Sequence, residues 1–563
     1  MGEVAVEGVV PPKVFSLRFS RPGLAVALLF FAVSLAPSLL PRTGLFQGVV
    51  SGITTVIGYA LGALGAWLWR YLEVPIPSRT TVVGRAVIGL PLIAIGALSI
   101  LSVWQQVGWQ NDVRDLFGMD PISPTVWVPI LPVTLLVAAL LLVVARAIRR
   151  LFRWVTAWAE RMLPRRVARV VGAVIVAVAL VTVGSGVVVD GLFALANQSF
   201  SVSDTATPDG LTQPTSELRS GSPDSLAEWD TLGRQGRRFV ATGPTVEELD
   251  EANGGGAVEP IRVYAGIKSA DDIEGRAELV LDELKRTGAF DREVLVVATT
   301  TGTGFLEPNA MNSLEYLHNG DTAIVGVQYS YLPSWISLLA DQEVTKETSR
   351  VVFDTVHEHW SSLPERSRPE LYLFGLSLGS FGVESILTSI NVLNSPIDGA
   401  LMSGPPFVNA LWNEVSKDRD AGSPAWLPVY EEGRTVRFTS LEDRLDEPAG
   451  RWGDTKLVYL QHASDPVTFF SGDLAFSPPD WLEDSQRGPD VSEEMRWFPI
   501  VTMWQVALDL PVAGEVPAGH GHLYTSGEYL AAWVGITEPD GWTDADTDRL
   551  EAILHERETT LEE

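Results

Sequence analysis

The sequence contains no cysteine, and this absence removes several kinds of chemistry. Disulfide bonds, thiolate catalysis and cysteine-based zinc sites are excluded. Acidic residues are scarce at the front, because residues 1–200 hold 16 Lys and Arg against 8 Asp and Glu, a net charge of +8. Residues 201–563 hold 25 against 62, a net charge of −37. Such an acidic region repels the phosphates of a nucleic acid and lacks a stripe of basic residues that could bind them. We therefore expect no nucleic-acid partner.

Long apolar runs occupy the basic front of the chain. Five runs each approach the ~20 residues that a helix needs to cross the hydrocarbon core of a bilayer. They cover residues 24–40, 49–69, 82–103, 126–144 and 170–192. Five buried helices of a large soluble domain are a poor alternative, since so many long runs carry few charges. Residues 1–198 are therefore predicted to be an all-α transmembrane bundle of about five helices. The absence of acidic residues at mid-span argues against a transport role.

Arginine and lysine are distributed unevenly among the connections between these runs. The N-terminal tail and the second connection are basic, and the fourth connection is the richest, with eight arginines from Arg146 to Arg169. The positive-inside rule places these three segments in the cytoplasm. Five crossings then put the C-terminal half outside, in a multi-pass protein of the cell membrane. The fourth connection could also be an amphipathic segment on anionic lipid, but a topology signal is the simpler interpretation.

A different pattern follows the apolar runs. Residues 199–221 are rich in Ser, Thr, Pro and Gly, which is typical of a linker. Within residues 222–563, short β-branched runs at 261–265, 294–298, 323–327, 371–374, 399–402 and 457–461 alternate with helical patterns at 271–286, 344–363 and 381–391. Apolar strands separated by amphipathic helices predict a mainly parallel sheet that is covered on both faces.

A Gly-x-Ser-x-Gly motif stands in this setting as GLSLG at residues 375–379. The motif alone is weak, but here it directly follows the apolar segment LYLFG and opens a helical pattern. This strand–turn–helix context is that of a nucleophile elbow, in which small flanking residues let the strand and the helix approach each other. We therefore predict that Ser377 is a nucleophile. The alternative is a structural serine in a Gly-rich turn.

A serine hydroxyl needs a base, and the base needs an orienting acid. On this fold the acid follows the nucleophile in the chain, and the histidine comes last. Asp465 lies in a turn just after the run at 457–461 and is the predicted acid, whereas Asp398 is weaker because it precedes its strand. The GHGH segment supplies His520 and His522, and a helix-like stretch after His522 favours the latter. A metal-binding histidine pair is the rival use, but no third ligand is clustered nearby.

Backbone N–H groups should stabilise the charge that develops on the substrate oxygen. One is expected from Leu378, the residue after the nucleophile. The other is expected from the Thr- and Gly-rich turn after the run at 294–298, where Thr303 or Gly302 is the candidate. An ordinary turn at the end of a strand is the alternative.

Residues 403–455 form a long insertion between two predicted strands. They contain two adjacent prolines and four aromatic residues that we expect to be exposed, namely Phe407, Trp412, Trp426 and Tyr430. An insertion at this place is predicted to form a lid over the site and to select the shape of the substrate. Beside a membrane, an apolar lid would suit a lipid.

Several segments carry a resemblance that covers nearly the whole chain: SLAPSLLPR (34–42), SLAEWDTLGRQGRRFVATGPT (225–245), YSYLPSW (329–335), FGLSLGS (374–380), YLQHASDPV (459–467) and VPAGHGHLY (516–524). The chain resembles a family of actinobacterial membrane proteins with an N-terminal helical membrane domain and a C-terminal α/β-hydrolase catalytic domain. The resemblance implies a hydrolase fold, membrane residence and Ser377 as the nucleophile. It supports Asp465 and one histidine of the GHGH pair, and it implies no particular substrate.

Three functions are compatible with these features. The first is a serine hydrolase of the esterase or lipase type, which cleaves an ester or thioester of a lipid or cell-envelope substrate. The second is an acyltransferase that uses the same Ser-His-Asp triad, and the third is a non-catalytic membrane scaffold. A broken triad would favour the scaffold, but every expected part is present in order. We expect the bilayer and a lipid or ester substrate as partners, and neither a cofactor nor a metal; the oligomeric state stays open.

Overall fold

The computed structural model describes residues 19–75, 81–185, 198–340, 342–448 and 450–562. The chain forms two compact units. The first comprises Met1–Ala36, Arg42–Gln110 and Ile122–Arg149, and the second comprises Pro37–Pro41, Asn111–Pro121 and Arg150–Glu563. Two short segments of the N-terminal half, and all of the chain from Arg150 onwards, thus belong to the unit that holds the C-terminal half, whereas the sequence predicts a single division near residue 198.

The N-terminal half is helical, as its apolar runs predict. Its helices are α1 (Arg21–Ser34), α2 (Gly44–Tyr71), α3 (Val82–Leu116), α4 (Trp127–Ala159) and α5 (Arg165–Ser185). Among the described residues, three helical segments are long and apolar enough to cross a membrane: Gly44–Tyr71, Val82–Leu116 and Pro124–Ala159. Helix α1 is apolar but shorter, and the end of the fifth predicted run, at 186–192, lies outside the described residues.

Helix α4 is longer than the sequence predicts. The fourth apolar run ends at residue 144, yet the helix continues to Ala159 and includes the first arginines of the predicted connection, namely Arg146, Arg149, Arg150 and Arg153. Ala, Leu and Arg are all strong helix formers, so the change from apolar to basic composition does not interrupt the helix. Pro164 then precedes the first residue of α5. Most of the arginine-rich connection is therefore helix rather than loop.

Glycine allows α1 and α2 to approach each other closely. A Cβ at Gly62 would contact the backbone of Pro22 and Gly23 in α1, and one at Gly58 would contact the Phe30 side chain. Small residues at crossings are a common device of helices in lipid, where packing rather than the hydrophobic effect drives their association.

Helices α3 and α4 also expose large apolar side chains, among them Leu90, Ile93, Ile100, Leu135 and Leu140. Exposed apolar surface of this extent is uncommon on water-soluble monomers. The close glycine-mediated packing of α1 and α2 and the exposed apolar side chains of α3 and α4 both fit helices that could lie in a bilayer.

The C-terminal unit is built on a seven-stranded sheet. Its strands are β1 (Ile261–Ala265), β2 (Val294–Thr299), β3 (Thr322–Val327), β4 (Glu370–Leu376), β5 (Gly399–Ser403), β6 (Val436–Thr439) and β7 (Lys456–Leu460). All neighbouring strands are parallel, in the order β1-β3-β2-β4-β5-β7-β6. Alternate residues enter two apolar cores: Val263 and Val297 lie in one, Tyr264 and Val296 in the other. A parallel sheet buried on both faces confirms the predicted fold.

Helices link these strands, and their bounds are α6 (Gly233–Ala241), α7 (Val246–Asn253), α8 (Ile273–Thr287), α9 (Pro308–Leu317), α10 (Ser334–Ala340), α11 (Gln342–Ser362), α12 (Leu378–Leu387), α13 (Ile390–Asn394), α14 (Ala410–Lys417), α15 (Pro466–Phe469), α16 (Val501–Asp509), α17 (Ser526–Thr537) and α18 (Asp544–Glu562). The predicted helical patterns correspond to α8, α11 and the pair α12–α13. Because the strands are parallel, the loops after β4, β5 and β7 meet at one edge of the sheet, where ligands bind in such folds.

The insertion between β5 and β7 contributes a strand to the sheet, and its role as a lid stays a prediction. It contains β6, which pairs with β7 as an additional strand of the sheet. Trp412 is buried and its indole N–H donates to Gln461 Oε1 (2.7 Å), and Trp426 is only partly exposed. Phe407 packs against Phe470 and Trp412 against Phe469, with 4.9 and 6.0 Å between ring centroids. These aromatic residues therefore pack into the domain instead of standing exposed.

Residues near both ends of the predicted linker are hydrogen-bonded to the domain that follows. Ser220 is fully buried, and its hydroxyl accepts a hydrogen bond from the N–H of Tyr264 in β1 (3.0 Å). Arg219 is hydrogen-bonded to Glu259 (3.1 Å), and Asp204 accepts from the N–H of Arg234 (2.9 Å). The polar composition is typical of a linker, but these polar groups are satisfied by the domain that follows.

Candidate active site

The candidate nucleophile lies at a sharp turn between β4 and α12. Ser377 has φ +54° and ψ −125°, a conformation that a non-glycine residue adopts only under strain. Glycine on either side makes the turn possible. A Cβ at Gly375 would overlap the backbone of Gly379, and one at Gly379 would overlap the carbonyl of Thr299. The turn therefore holds Ser377 at the carboxyl end of a central strand, as a nucleophile elbow does.

The predicted acid and one predicted base form a close pair. His522 Nδ1 lies 2.6 Å from Asp465 Oδ2. Asp465 is fully buried, and its carboxylate also accepts hydrogen bonds from Tyr524 Oη (2.9 Å) and from the N–H of Val467 (2.8 Å). Because an ionised carboxylate only accepts, Nδ1 of His522 carries the proton and Nε2 is the acceptor. Within the described part of the chain, His522 Nε2 is buried and has no hydrogen-bond partner.

The end of β5 and the residue after it contact both Ser377 and His522. The N–H of Ser377 donates to the carbonyl of Ser403, the last residue of β5 (2.9 Å). The next residue, Gly404, has φ +51° and lies so close to His522 that a Cβ there would overlap the imidazole ring. Ser403, which binds the backbone of Ser377, and Gly404, which contacts the imidazole of His522, are thus adjacent in the chain. Ser377, Asp465 and His522 follow one another in the chain order of a Ser-His-Asp triad, and their catalytic roles stay a prediction.

The other two sequence candidates lie apart from this pair. His520 Nδ1 is 3.6 Å from Asp490 Oδ2, and its ring stacks on Phe117 with 4.5 Å between centroids. Asp398 precedes β5, at the opposite edge of the sheet, where its carboxylate accepts a backbone hydrogen bond (2.7 Å). The two histidines thus have different carboxylate partners, and the choice of His522 over His520 as the base stays a prediction.

The predicted oxyanion donors have different surroundings. Leu378 opens α12, and the first N–H groups of a helix have no partner inside that helix. The N–H of Gly302 donates to Tyr329 Oη (3.0 Å), and Thr303 lies in the tight turn that follows. The assignment of the second donor to Thr303 or Gly302 stays a prediction.

Thr300 is a further candidate that the sequence analysis did not single out. The backbone of Thr299 and Thr300 packs against Gly379, two residues after Ser377. Thr300 is buried, and its hydroxyl donates to the carbonyl of Val327 (2.8 Å). A loop this close to the elbow is where a second oxyanion donor is expected. The position of Thr300 directly after β2 is the sequence feature that could have identified this residue as a candidate oxyanion donor.

Known protein families share this architecture. A family described as "Alpha/beta-hydrolase family" matches residues 261–550, which is more than half of the chain and includes the whole seven-stranded sheet. The chain belongs to the alpha/beta-hydrolase family. A second family, described as "Alpha/beta-hydrolase family N-terminus", matches residues 35–244. No curated protein matches the sequence.

Membership of the alpha/beta-hydrolase family confirms the resemblance drawn from the sequence motifs at the level of the family, and it supports a hydrolase-type activity. The N-terminal match begins within the first quoted motif and continues through the predicted linker. The two halves of the chain thus each match a family of this group.

A buried ion pair beside the candidate triad has no signal in the sequence. His462 Nε2 lies 2.5 Å from Glu528 Oε1, and its Nδ1 lies 3.0 Å from the carbonyl of Gly521. The imidazole also stacks on Tyr524, with 4.4 Å between ring centroids. His462 therefore contacts the residues immediately before and shortly after His522 and restrains the loop that carries it.

The His462–Glu528 pair makes stability depend on pH. Burial alone would lower the pKa of His462, but the Glu528 carboxylate outweighs burial and raises this pKa from 6.5 to about 9. Burial alone would raise the pKa of Glu528, and His462 holds it below the usual 4.5. The raised histidine pKa contributes stability that is complete below pH 6.5 and is lost as the pH rises through about 9. The lowered glutamate pKa contributes stability above pH 4.5 and loses it on acidification.

Glu528→Gln should remove this pH dependence. Near pH 6.5 the wild type should exceed the variant in unfolding free energy by on the order of a few kcal/mol, and the difference should shrink towards pH 9. Thermal unfolding of the full-length protein, followed by tryptophan fluorescence across this range, measures it. Glu551→Gln, at an exposed position of α18, is the control. A difference in Tm that stays constant with pH would show that the pair does not stabilise the fold in this way.

Proposed function

We propose that this chain is a membrane-anchored serine hydrolase that cleaves an ester or thioester of a lipid or cell-envelope substrate through an acyl-enzyme on Ser377. The observation that carries the proposal is the 2.6 Å contact between His522 and Asp465 beside the strained turn at Ser377. A buried carboxylate that fixes the Nδ1–H tautomer leaves Nε2 free to accept a proton from a nucleophile.

In the acylation half-reaction, Ser377 Oγ attacks the carbonyl carbon of the substrate while His522 Nε2 takes the hydroxyl proton. Asp465 stays ionised and stabilises the imidazolium that forms. His522 then gives the proton to the leaving alcohol or thiol as the C–O or C–S bond breaks. The acyl group remains on Ser377 as an ester.

Deacylation repeats these steps with water as the nucleophile. His522 Nε2 takes a proton from the attacking water, and the proton passes to Ser377 Oγ as the carboxylic acid leaves. In both half-reactions the N–H of Leu378, with one N–H from the loop after β2, would bind the oxyanion. Pre-oriented backbone donors of this kind need no rearrangement as the charge develops.

An apolar cluster beside the nucleophile supports an acyl substrate. Leu378, the residue after Ser377, packs with Tyr329, Leu338 and Phe381, and Phe407 lies against them. The first four side chains are buried, so the partly exposed ring of Phe407 is the part of the cluster that a substrate would contact. A hydrocarbon chain that packs on this ring gains about 0.8 kcal/mol for each methylene it buries.

The predicted orientation rests on the distribution of arginine and lysine. The positive-inside rule assigns the basic N-terminal tail and the second and fourth connections to the cytoplasm. With the predicted five crossings, the catalytic domain would then lie outside.

Hydrolysis of p-nitrophenyl esters of increasing acyl length tests the substrate class. Full-length protein in detergent should cleave the octanoate faster than the acetate, by about tenfold for every two methylenes that are buried. Phe407→Ala should reduce this preference, whereas Phe476→Ala, at an exposed position, should retain it. Equal kcat/KM values for all chain lengths would exclude an acyl-chain site.

The same assay separates the alternative functions. With an excess of a short alcohol as acceptor, release of free acid identifies a hydrolase, and formation of a new ester identifies an acyltransferase. Folded wild-type protein that neither turns over nor forms an acyl-enzyme would support the scaffold hypothesis.

A further inference from the structure

A segment distant from the candidate triad in sequence is built into the same compact unit. Ser38 Oγ donates a hydrogen bond to Asp509 Oδ2 (2.5 Å), and both residues are buried. Leu39 and Leu40, which follow, lie in the larger apolar core of the C-terminal unit. A buried carboxylate needs hydrogen-bond donors to offset its lost solvation. The contact therefore fixes Pro37–Pro41 to the last residue of α16.

The end of α16 in turn holds the loop of the candidate base. Shortly after Asp509, the carbonyl of Ala513 accepts a hydrogen bond from the N–H of His522 (2.9 Å). Leu40 also reaches the neighbouring position, since a Cβ at Gly521 would lie 3.3 Å from Leu40 Cδ2. The first segment thus supports both the loop of His522 and the helix end that anchors this loop.

A second segment contacts the same loop. Phe117, which follows α3, stacks on His520 with 4.5 Å between centroids and 28° between ring planes. Phe117 and Val113 are both 1% exposed and belong to the same core as Leu40. Stacked aromatic rings attract each other beyond the area that they bury. The stack therefore restrains the loop two residues before His522.

We propose that Pro37–Pro41 and Asn111–Pro121 are positioning elements of the active site, which hold the loop at residues 519–524 so that His522 Nε2 faces Ser377. The inference rests on the proposed serine hydrolase activity, and it gives the N-terminal half a role besides anchoring. A general base works only within hydrogen-bond reach of the proton it takes. Loosening either segment therefore slows the chemical step more than it weakens the binding of a small substrate.

Labelling of the full-length protein with a fluorophosphonate measures this role, because the labelling rate reports the base-assisted reactivity of Ser377. Phe117→Ala should lower the second-order labelling rate by about tenfold, and Ser38→Ala by about tenfold or more. Leu116→Ala, at the exposed neighbouring position, is the matched control and should label as the wild type does. Ser38→Thr, which retains the hydroxyl, should recover most of the rate.

Steady-state kinetics and thermal unfolding separate positioning from mere support of the fold. For p-nitrophenyl butyrate, kcat of Phe117→Ala should fall while KM changes by less than about twofold. Phe117→Leu, which keeps apolar volume but lacks the ring, replaces Phe117→Ala if the latter has a strongly lowered Tm. Folded variants that label and turn over at wild-type rates would overturn the positioning role and leave the proposed function intact. Wild-type protein that fails to label would overturn the proposed function, and this inference with it.

Discussion

Replacing His522 with alanine should lower kcat for ester hydrolysis by about 10⁴-fold or more, because loss of the base from a serine triad costs nearly as much as loss of the nucleophile. Within the described residues, the structure gives His522 a buried Nε2 without a partner and an Nδ1 bonded to Asp465 at 2.6 Å. Release of p-nitrophenol by the purified full-length variant is the measurement, with Tm as the check on folding.

His520→Ala is the matched control for that substitution. It removes a histidine of the same loop, but this side chain stacks on Phe117 and lies 3.6 Å from Asp490. Its loss should weaken the positioning of the loop and lower kcat by roughly tenfold. A larger loss in His520→Ala than in His522→Ala would assign the base to His520 and contradict the proposed role of His522.

Asp465→Asn should lower kcat by about 10⁴-fold. The carboxylate accepts from His522 Nδ1 and from Tyr524 Oη (2.9 Å), whereas an amide that turns its NH₂ towards the imidazole donates. The imidazole would then carry its proton on Nε2 and could not accept the hydroxyl proton of Ser377. The pH dependence of kcat, measured for wild type and variant, checks this assignment.

Asp490→Asn provides the comparison. Asp490 accepts a hydrogen bond from Ser464 Oγ (2.5 Å), and an amide oxygen can accept the same bond. The N–H of Gly521 donates to Ser464 (2.9 Å), so the loop stays supported. We expect less than about a tenfold change in kcat. Equal losses in Asp465→Asn and Asp490→Asn would mean that neither carboxylate has the specific role of orienting the base.

Much of the C-terminal fold could be predicted because its physics is local. The strands of a doubly covered parallel sheet are short, continuous apolar runs, and six of the seven are recognisable as such. Ser377 could be predicted because an elbow requires small residues at fixed spacing, and Gly375 and Gly379 occupy positions where a Cβ would overlap backbone atoms. Asp465 follows from its position after a late strand, and the structure places it on His522.

Strand β6 escaped prediction because it has only four residues and lies in a long insertion. It also contains Arg437, which is buried and donates to backbone carbonyls such as that of Gly433 (2.9 Å). A charged residue in so short a run conceals the apolar pattern of a strand. The carbonyl groups that accept hydrogen bonds from Arg437 are brought around it only by the tertiary fold. The local sequence therefore does not indicate that this arginine is buried.

The positioning segments escaped prediction for a related reason. The first apolar run extends to Leu40 in the sequence, yet α1 ends at Ser34, and Leu39 and Leu40 are buried in a protein core. Composition does not distinguish an apolar side chain that faces lipid from one that faces protein. The ion pair of His462 and Glu528 likewise joins residues 66 positions apart, which no spacing rule connects.

The central claim is that Ser377 is an activated nucleophile, and fluorophosphonate labelling of full-length protein in detergent tests it most directly. The account predicts covalent labelling of the wild type at Ser377, identified by the mass of the labelled peptide, and none in Ser377→Ala of equal Tm. It would be contradicted by label retained in Ser377→Ala. Folded wild-type protein that resists both a bulky and a small fluorophosphonate would contradict it equally.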